Sequence, residues 1–473
     1  MADPAAATTT GPAVRRVAPR VPSLPAGWPL VVLLAGFPVF WALGLPNLAA
    51  PLMAIPMLLT LLRRRPWKLP RGFVLWVLFL LWSVVAVSML GVNPPGTLAD
   101  SLPGRLLGYG MREVSYVAVT IAFLYVGNLT EEEFPQRRVV RLLGWLFIWT
   151  VAGGVLGMLA PNFQFTSPFE LVLPDPIRYN TFVQRLVHPT SAQVQELLGG
   201  QTPRPAAPFG YTNTWGYHVT VLGAWFVMGW FVGRRSGARL FAGAVLVVGT
   251  VVLIYSLNRA AWVGAIVLAL LVVARLAISQ RRLLPMMALL LATAVGTMAI
   301  VATPLQDVIT GRINEGKSNS VRAFTTEKAL ELSVRSPIIG YGSTRNAQGS
   351  ASSIAVGKSA DCPQCGNISI GINGYFFMLL MSTGWVGLLL FLSFGISQLW
   401  RVRRETSPLV TTGIAVVVAT GLYGFVYDIS TWMLVPAISL AVLWREVQAR
   451  DRRRLAERAE RAERVRQAAG VPV

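Results

Sequence analysis

Apolar stretches recur along the chain at a length that suits a bilayer, and polar connections separate them. About 20 apolar residues wound as a helix cross a hydrocarbon core of roughly 30 Å. The pattern predicts twelve such spans, over residues 28–45, 47–62, 72–91, 113–128, 142–160, 213–233, 240–256, 260–279, 284–303, 374–400, 408–426 and 429–444. The expected fold is an all-α integral membrane protein. Two connections are long, 161–212 and 304–373, and the second, partly helical, lies between the ninth and tenth spans. Residues 1–27 read as a disordered tail and 28–445 as a polytopic membrane domain. Residues 446–473 read as a charged helical tail, with Glu and Arg four apart at Glu457–Arg461 and Glu460–Arg464.

Composition agrees with this reading. The chain is 54% hydrophobic and only 13% charged, where a soluble domain carries about a quarter charged residues. Net charge is nevertheless +21. The only lysines are Lys68, Lys317, Lys328 and Lys358, so the excess is nearly all arginine. Basic residues near span ends stay on the cytoplasmic side. With the N-terminus inside, Arg63-Arg64-Arg65, Arg137-Arg138, Arg234-Arg235, Arg281-Arg282, Arg403-Arg404 and the tail all fall on the inner face. The outer segments are then close to neutral, both termini are cytoplasmic, and both long loops are outside. Topology and contact with anionic lipid heads thus account for the charge. The bilayer is an expected partner and nucleic acid is not.

Some polar residues stand where the pattern alone does not require them. Arg259, in Tyr255-Ser-Leu-Asn-Arg259-Ala-Ala-Trp262, occupies a nearly loopless outer turn, against the arginine bias. A charge at mid-membrane costs about 2.5–3.5 kcal/mol on insertion scales. Arg259 therefore either snorkels to the outer lipid heads or meets an anionic ligand, with Ala260 and Ala261 leaving room. Guanidinium pairs with phosphate in bidentate fashion and stays charged at any working pH. Arg322 begins a predicted helix over 320–335 that Pro337, Gly340 and Gly342 bring to an end. Val321, Phe324, Lys328 and Leu332 fall on one face of it, whereas Glu327 and Glu331 read as a solvated or ion-paired face. Loop 161–212 closes in Arg204-Pro-Ala-Ala-Pro-Phe-Gly-Tyr211-Thr-Asn213, which brings an arginine and an amide to the outer mouth of the sixth span.

Cys362-Pro-Gln-Cys365 lies in the second long loop. Zinc would need two further ligands at suitable spacing, and the histidines are His188 and His218, the latter inside the sixth span. A short local disulfide between Cys362 and Cys365 is the expectation, since disulfides persist outside the cell. No metal site and no cofactor are expected.

Three stretches together resemble the O-antigen ligase and O-antigen polymerase superfamily of membrane glycosyltransferases. Ser256-Leu-Asn-Arg259-Ala-Ala-Trp262 is similar to the family's Ser-Arg-Gly/Ala opening of a span. Ser320-Val-Arg322, Ala329-Leu330 and Ser336-Pro-Ile-Ile-Gly-Tyr-Gly342 resemble its Arg…Ala-Leu…Pro-x-x-Gly-x-Gly loop. Asn373-Gly-Tyr-Phe-Phe-Met-Leu-Leu-Met-Ser-Thr-Gly384-Trp-Val-Gly387 has its spacing into the next span, and Pro208-Phe-Gly-Tyr-Thr-Asn213 is a looser fourth match.

The resemblance implies transfer or polymerisation of a glycan from a polyprenyl diphosphate carrier to an acceptor hydroxyl outside a bacterial plasma membrane, inverting and without a metal. Arg259 and Arg322 would hold the diphosphate and Arg204 would assist. Tyr211, Asn213, Asn373 and Tyr375 would meet sugar or a saccharide or lipid acceptor. The family typically has His where this chain has Asn373, and an amide orients a hydroxyl but takes no proton from it. Asp361, Glu327 or Asp428 then becomes the possible base, unless the diphosphate leaves readily enough to need none. A non-catalytic binder of lipid-linked glycan and a twelve-span solute transporter remain alternatives.

Overall fold

The structure is a computed structural model that describes residues 24–64, 66–99, 101–197, 200–280, 317–348 and 367–468. The described chain is mostly helical. Helices α1 (Trp28–Ala35) and α2 (Phe37–Leu43) form the first predicted span and part at Gly36. They are followed by α3 (Ala49–Arg63), α4 (Phe73–Val85, continued by a 3-10 turn to Met89), α5 (Leu102–Asn128) and α6 (Gln136–Leu159). Helices α10 (Thr212–Phe226), α11 (Ser236–Tyr255), α12 (Arg259–Gln280), α14 (Tyr375–Val402), α15 (Pro408–Tyr423) and α16 (Leu434–Ala468) complete the apolar set.

Among the described residues, four helices are long and apolar enough to cross a membrane: Gln136–Leu159, Ser236–Tyr255, Arg259–Ile278 and Tyr375–Val402. Shorter apolar helices cover Ala49–Arg63, Phe73–Met89 and Pro408–Tyr423. The apolar sides of α11 and α12, with Val247, Val251, Val263, Ile266 and Leu270, are left uncovered by the protein. In water that would be a large exposed patch; against lipid tails it carries no penalty. The predicted span over 284–303 lies outside the described residues.

Polar side chains gather the helix ends into two sets. In one set Arg64 pairs with Glu133 (2.7 Å), Arg445 with Glu131 (2.8 Å) and Arg450 with Glu405 (3.0 Å), while Arg275 donates to the Glu405 carbonyl (2.7 Å). In the other, Asn47 reaches the Leu186 carbonyl and Arg345 the Val92 carbonyl, and the Tyr375 amide donates to the Tyr427 carbonyl. From α3 to α6, and again from α14 to α16, successive helices run between the two sets in opposite directions.

Two boundaries differ from the sequence expectation. Helix α5 begins at Leu102 rather than near 113, capped by Ser101 accepting from the Gly104 amide, with Pro103 in its first turn. Helix α16 runs unbroken from the last span into the charged tail, because its Arg/Glu/Ala sequence keeps high helix propensity past Arg445.

The connection 161–212 is structured. It contains α7 (Pro168–Val172), α8 (Asp175–Arg178), α9 (Thr181–Val187) and a hairpin of β1 (Ala192–Leu197) with β2 (Gly200–Pro205), in which Ala192 lies opposite Pro205. Ser167 and Glu170 form a reciprocal capping box at the start of α7. The second long connection holds α13 (Lys317–Arg335), β3 (Arg345–Gln348) and β4 (Asn367–Ile370), with Arg345 opposite Ile370. Ala329 and Leu332 of α13 bury with Tyr341, Ala347, Ile370 and Met381, so α13 packs on the bundle through Thr325, Ala329, Leu332 and Ser333, whereas Phe324 and Lys328 of the expected face are not buried.

The segment after α13 enters the bundle itself. Helix α14 breaks at Gly384, where φ is 65°. There the Tyr341 amide donates to the Met381 carbonyl (2.7 Å), Gly342 to Ser382 (2.9 Å), and Trp385 back to Pro337 (2.7 Å). Backbone groups released by the break are paired by the inserted Pro337–Gly342 strap, which is how irregular backbone is tolerated at membrane depth. The approach is close enough that a Cβ on Gly340 would stand 2.6 Å from the Gly384 nitrogen.

Candidate active site

The strap, the start of α14 and the middle of α5 meet at a cavity of about 450 Å³. Arg112 and Met111 of α5 form one wall. Tyr211, Asn213 and Thr214 at the start of α10 form another. Ser343 and Thr344 after the strap, Asn373 before α14, and Tyr427, Asp428 and Ser430 between α15 and α16 close the remainder.

Arg112 is 5% exposed. Its Nη2 donates to the Gly342 carbonyl at 2.6 Å and its Nη1 to Met378 Sδ at 3.6 Å; its Nε makes no hydrogen bond and lies 3.7 Å from Glu113 Oε1. Glu113 is in turn fixed by Ser83 Oγ, which donates to it at 2.5 Å. The guanidinium is thus held in place by backbone and strap, with its carboxylate neighbour set to one side of the cavity.

Asp428 is exposed to the cavity it lines. Desolvation by the protein packed around that cavity raises its carboxyl above the ordinary carboxylate range, although Ser430 donates to it and the Arg112 charge works the other way. The Ser430 amide to Asp428 Oδ1 distance is 2.9 Å. Asn373 Nδ2 donates to Thr325 Oγ1 of α13 at 2.9 Å.

Directly behind this wall sits the tight turn between α11 and α12. Leu257 takes a left-handed conformation (φ 50°), and Asn258 caps α12 by accepting from the Ala261 amide. Tyr427 donates its hydroxyl to Asn258 Oδ1, and Asn258 Nδ2 donates to the Thr212 carbonyl at 3.2 Å. A cap of this kind contributes about 1 kcal/mol, and here it also locks two cavity-bearing segments to one turn. Arg259 is the next residue.

The predicted residues separate as follows. Tyr211, Asn213, Asn373 and Asp428 line the same cavity. Arg259 and Arg322 are half-buried and lie behind or beside it rather than among its lining residues. Arg204 is buried, with Nε donating to the Ser256 carbonyl at 2.7 Å. Tyr375 is buried against the Tyr116 hydroxyl and faces a separate apolar cleft of about 190 Å³ with Trp76, Phe123, Phe391 and Phe394. The first turn of α14 therefore divides a polar cavity from an apolar cleft. Glu327 is exposed on α13 and off the cavity, and Glu331 is ion-paired with Lys328 (2.6 Å) and Arg335 (3.1 Å). Asp361, Cys362 and Cys365 lie outside the described residues. His218 is buried beneath the cavity, stacked on Phe209 at 4.0 Å, with Nδ1 against the Thr214 carbonyl.

Arg112 is the residue that sequence reading overlooked. The signal that drew attention to Arg259, an arginine on the outer side against the charge bias, applies equally to Arg105 and Arg112.

Fold and site together describe a helical membrane protein with a polar, arginine-bearing cavity at one end of the bundle. Residues 242–392 match the family model described as O-Antigen ligase, which supports the O-antigen ligase superfamily. The family implies glycan transfer of ligase or polymerase type in polysaccharide assembly. The matched segment contains Arg259, Arg322, Asn373 and the strap; Arg112, Tyr211, Asn213 and Asp428 reach the cavity from outside it. No curated protein matches the chain.

Proposed function

We propose that this protein is a membrane glycosyltransferase that moves a glycan from a polyprenyl diphosphate donor to an acceptor hydroxyl in surface polysaccharide assembly. One observation carries the reading: a buried arginine, an amide and a carboxylate of raised pKa line one cavity, next to an apolar cleft. The diphosphate sits on the Arg112 side, with Arg259 and Arg322 contributing longer-range positive charge and Arg204 bracing the turn that carries Arg259. The polyprenyl tail occupies the cleft beside Tyr375. The acceptor hydroxyl attacks the anomeric carbon from the face opposite the diphosphate; that carbon–oxygen bond breaks and configuration inverts. Growing charge on the leaving diphosphate meets fixed cations in a low-dielectric site, where such stabilisation is strongest.

Asp428 accepts the hydroxyl proton. Desolvation favours its protonated form, which makes it a stronger base than an ordinary carboxylate. Asn373, held by Thr325, orients the acceptor or the sugar. The active face is the outer face of a bacterial plasma membrane and both termini are cytoplasmic, because the opposite end of the bundle collects the arginines.

The deciding experiment is single-turnover transfer by the purified full chain with a radiolabelled lipid-linked glycan, together with mass spectrometry of lipid-linked intermediates in cells with and without the protein. Transfer in vitro and accumulation of donor in its absence are expected. Tight donor binding with no transfer would instead make the protein a non-catalytic binder.

A further inference from the structure

At the end of the bundle opposite the active cavity lies a second polar cavity, of about 660 Å³, between α3, α5, α6 and α16. Its lining includes Arg64, Lys68, Arg137, Arg445, Arg452 and Arg453, against the acids Glu131, Glu133 and Glu446. Two of the acids are already engaged, Glu133 by Arg64 at 2.7 Å and Glu131 by Arg445 at 2.8 Å. Glu131 also accepts from the Gln136 amide and so occupies the N-terminus of α6. Lys68, Arg137, Arg452 and Arg453, all exposed, share the cavity with Glu446, an excess of positive charge.

Arg445 braces one wall of the cavity: it is buried, and its Nη2 donates to Glu131 at 2.8 Å and to the Phe134 carbonyl at 2.9 Å.

We infer that this cavity binds the phosphate headgroup of an anionic membrane lipid. The choice of a lipid over a soluble anion rests on α3. Leu58, Leu59 and Leu62 form an exposed apolar strip on that helix, which runs directly to Leu61 and Arg64 at the cavity. Acyl chains lie along the strip while the phosphate meets Lys68, Arg137, Arg452 and Arg453. Basic pockets between spans on the cytoplasmic side suit such headgroups. The site is separate from the transfer cavity and stands whether or not the transferase reading does.

Native mass spectrometry of the purified full chain, given phosphatidylglycerol or phosphatidylcholine in matched amounts, tests it. Phosphatidylglycerol should be retained selectively, and each charge removed from the cavity should lower retention roughly fivefold, in Arg452→Ala/Arg453→Ala and separately in Lys68→Ala. The second variant guards against misfolding of the first, because it alters a different segment. Equal retention of the two lipids, or no loss in either variant, overturns the site. Displacement of the lipid by inorganic phosphate at comparable concentration overturns the lipid assignment in favour of a soluble anion.

Discussion

Asn373 Nδ2 donates to Thr325 Oγ1 at 2.9 Å, and Thr325 Oγ1 donates onward to the Arg322 carbonyl at 3.1 Å. The amide in the cavity is therefore held by the helix that carries Arg322, across a long excursion of the chain. Thr325→Val preserves shape and removes both polar contacts. Turnover should fall about tenfold with Thr325→Val and about a hundredfold with Asn373→Ala, since a shift near 1 Å in a positioning group can cost that much. Thermal unfolding should move little in either. Unchanged single-turnover rates for Thr325→Val would mean that the contact does not position Asn373.

Asp428 should set the acid limb of the pH–rate profile. Its carboxyl is raised by desolvation, so as the base it works only once the pH exceeds that raised value. Activity should climb through a range above the ordinary carboxylate value of about 4. Asp428→Asn should lower turnover by about 10²–10⁴ and flatten the limb. The stability effect has the opposite sense: a raised folded-state value favours folding at low pH, and that contribution is lost as the pH rises through it. A variant that keeps the wild-type limb would remove Asp428 from the proton path.

Arg112 carries two roles, strap anchor and cavity cation, and Lys separates them. Lysine keeps the charge but cannot reach both Gly342 and Met378 in fixed fork geometry. Arg112→Lys should retain donor binding within about tenfold while losing more in the transfer step. Arg112→Ala should lose both and lower the melting temperature by leaving the Gly342 carbonyl unpaired. Equilibrium binding of the lipid-linked donor, measured beside single-turnover rates, distinguishes these outcomes.

Gly384 is where α14 must bend to admit the strap. A Cβ there would lie 2.5 Å from the Ile338 carbonyl oxygen, on a backbone already at φ 65°. Gly384→Ala should destabilise the fold by about 3 kcal/mol through clash and strain together, read as reduced melting temperature in detergent. Gly395, with open space around it, is the control: Gly395→Ala should be close to neutral.

These relationships show which parts of the molecule local sequence encodes. Apolar runs long enough to span a bilayer fixed the positions of α6, α11, α12 and α14, because a helix in lipid must satisfy its own backbone. Arginine placement marked the end of the bundle where Arg64, Arg275 and Arg445 meet their acidic or carbonyl partners. The start of α5 was hidden because Gly104, Gly108 and Gly110 lower helix propensity and dilute the apolar signal, and Arg112 was lost with it. The break in α14 was hidden for another reason. Gly384 in an apolar run reads as tolerated, and only the strap, tens of residues earlier, makes it a bend. Among candidate bases, Asp428 lines the cavity and Glu327 does not, which tertiary packing decides.

The structured connection 161–212 makes a last prediction about pH. Glu170 is buried and accepts from His188 Nδ1 at 2.8 Å, Gln184 Nε2 at 2.8 Å and the Ser167 amide. Burial alone would raise its carboxyl, but these hydrogen bonds outweigh it and hold the group below the ordinary carboxylate range. A depressed folded-state value contributes stability that is complete above the unfolded value, about 4.3, and is lost as the pH falls through the folded one. Amide exchange over residues 165–188 should therefore be slow at neutral pH and accelerate on acidification below that range. Glu170→Gln should weaken protection at neutral pH and remove most of its pH dependence, and His188→Ala should move the transition to higher pH. Identical acid profiles in wild type and Glu170→Gln would show that another group controls the order of this connection.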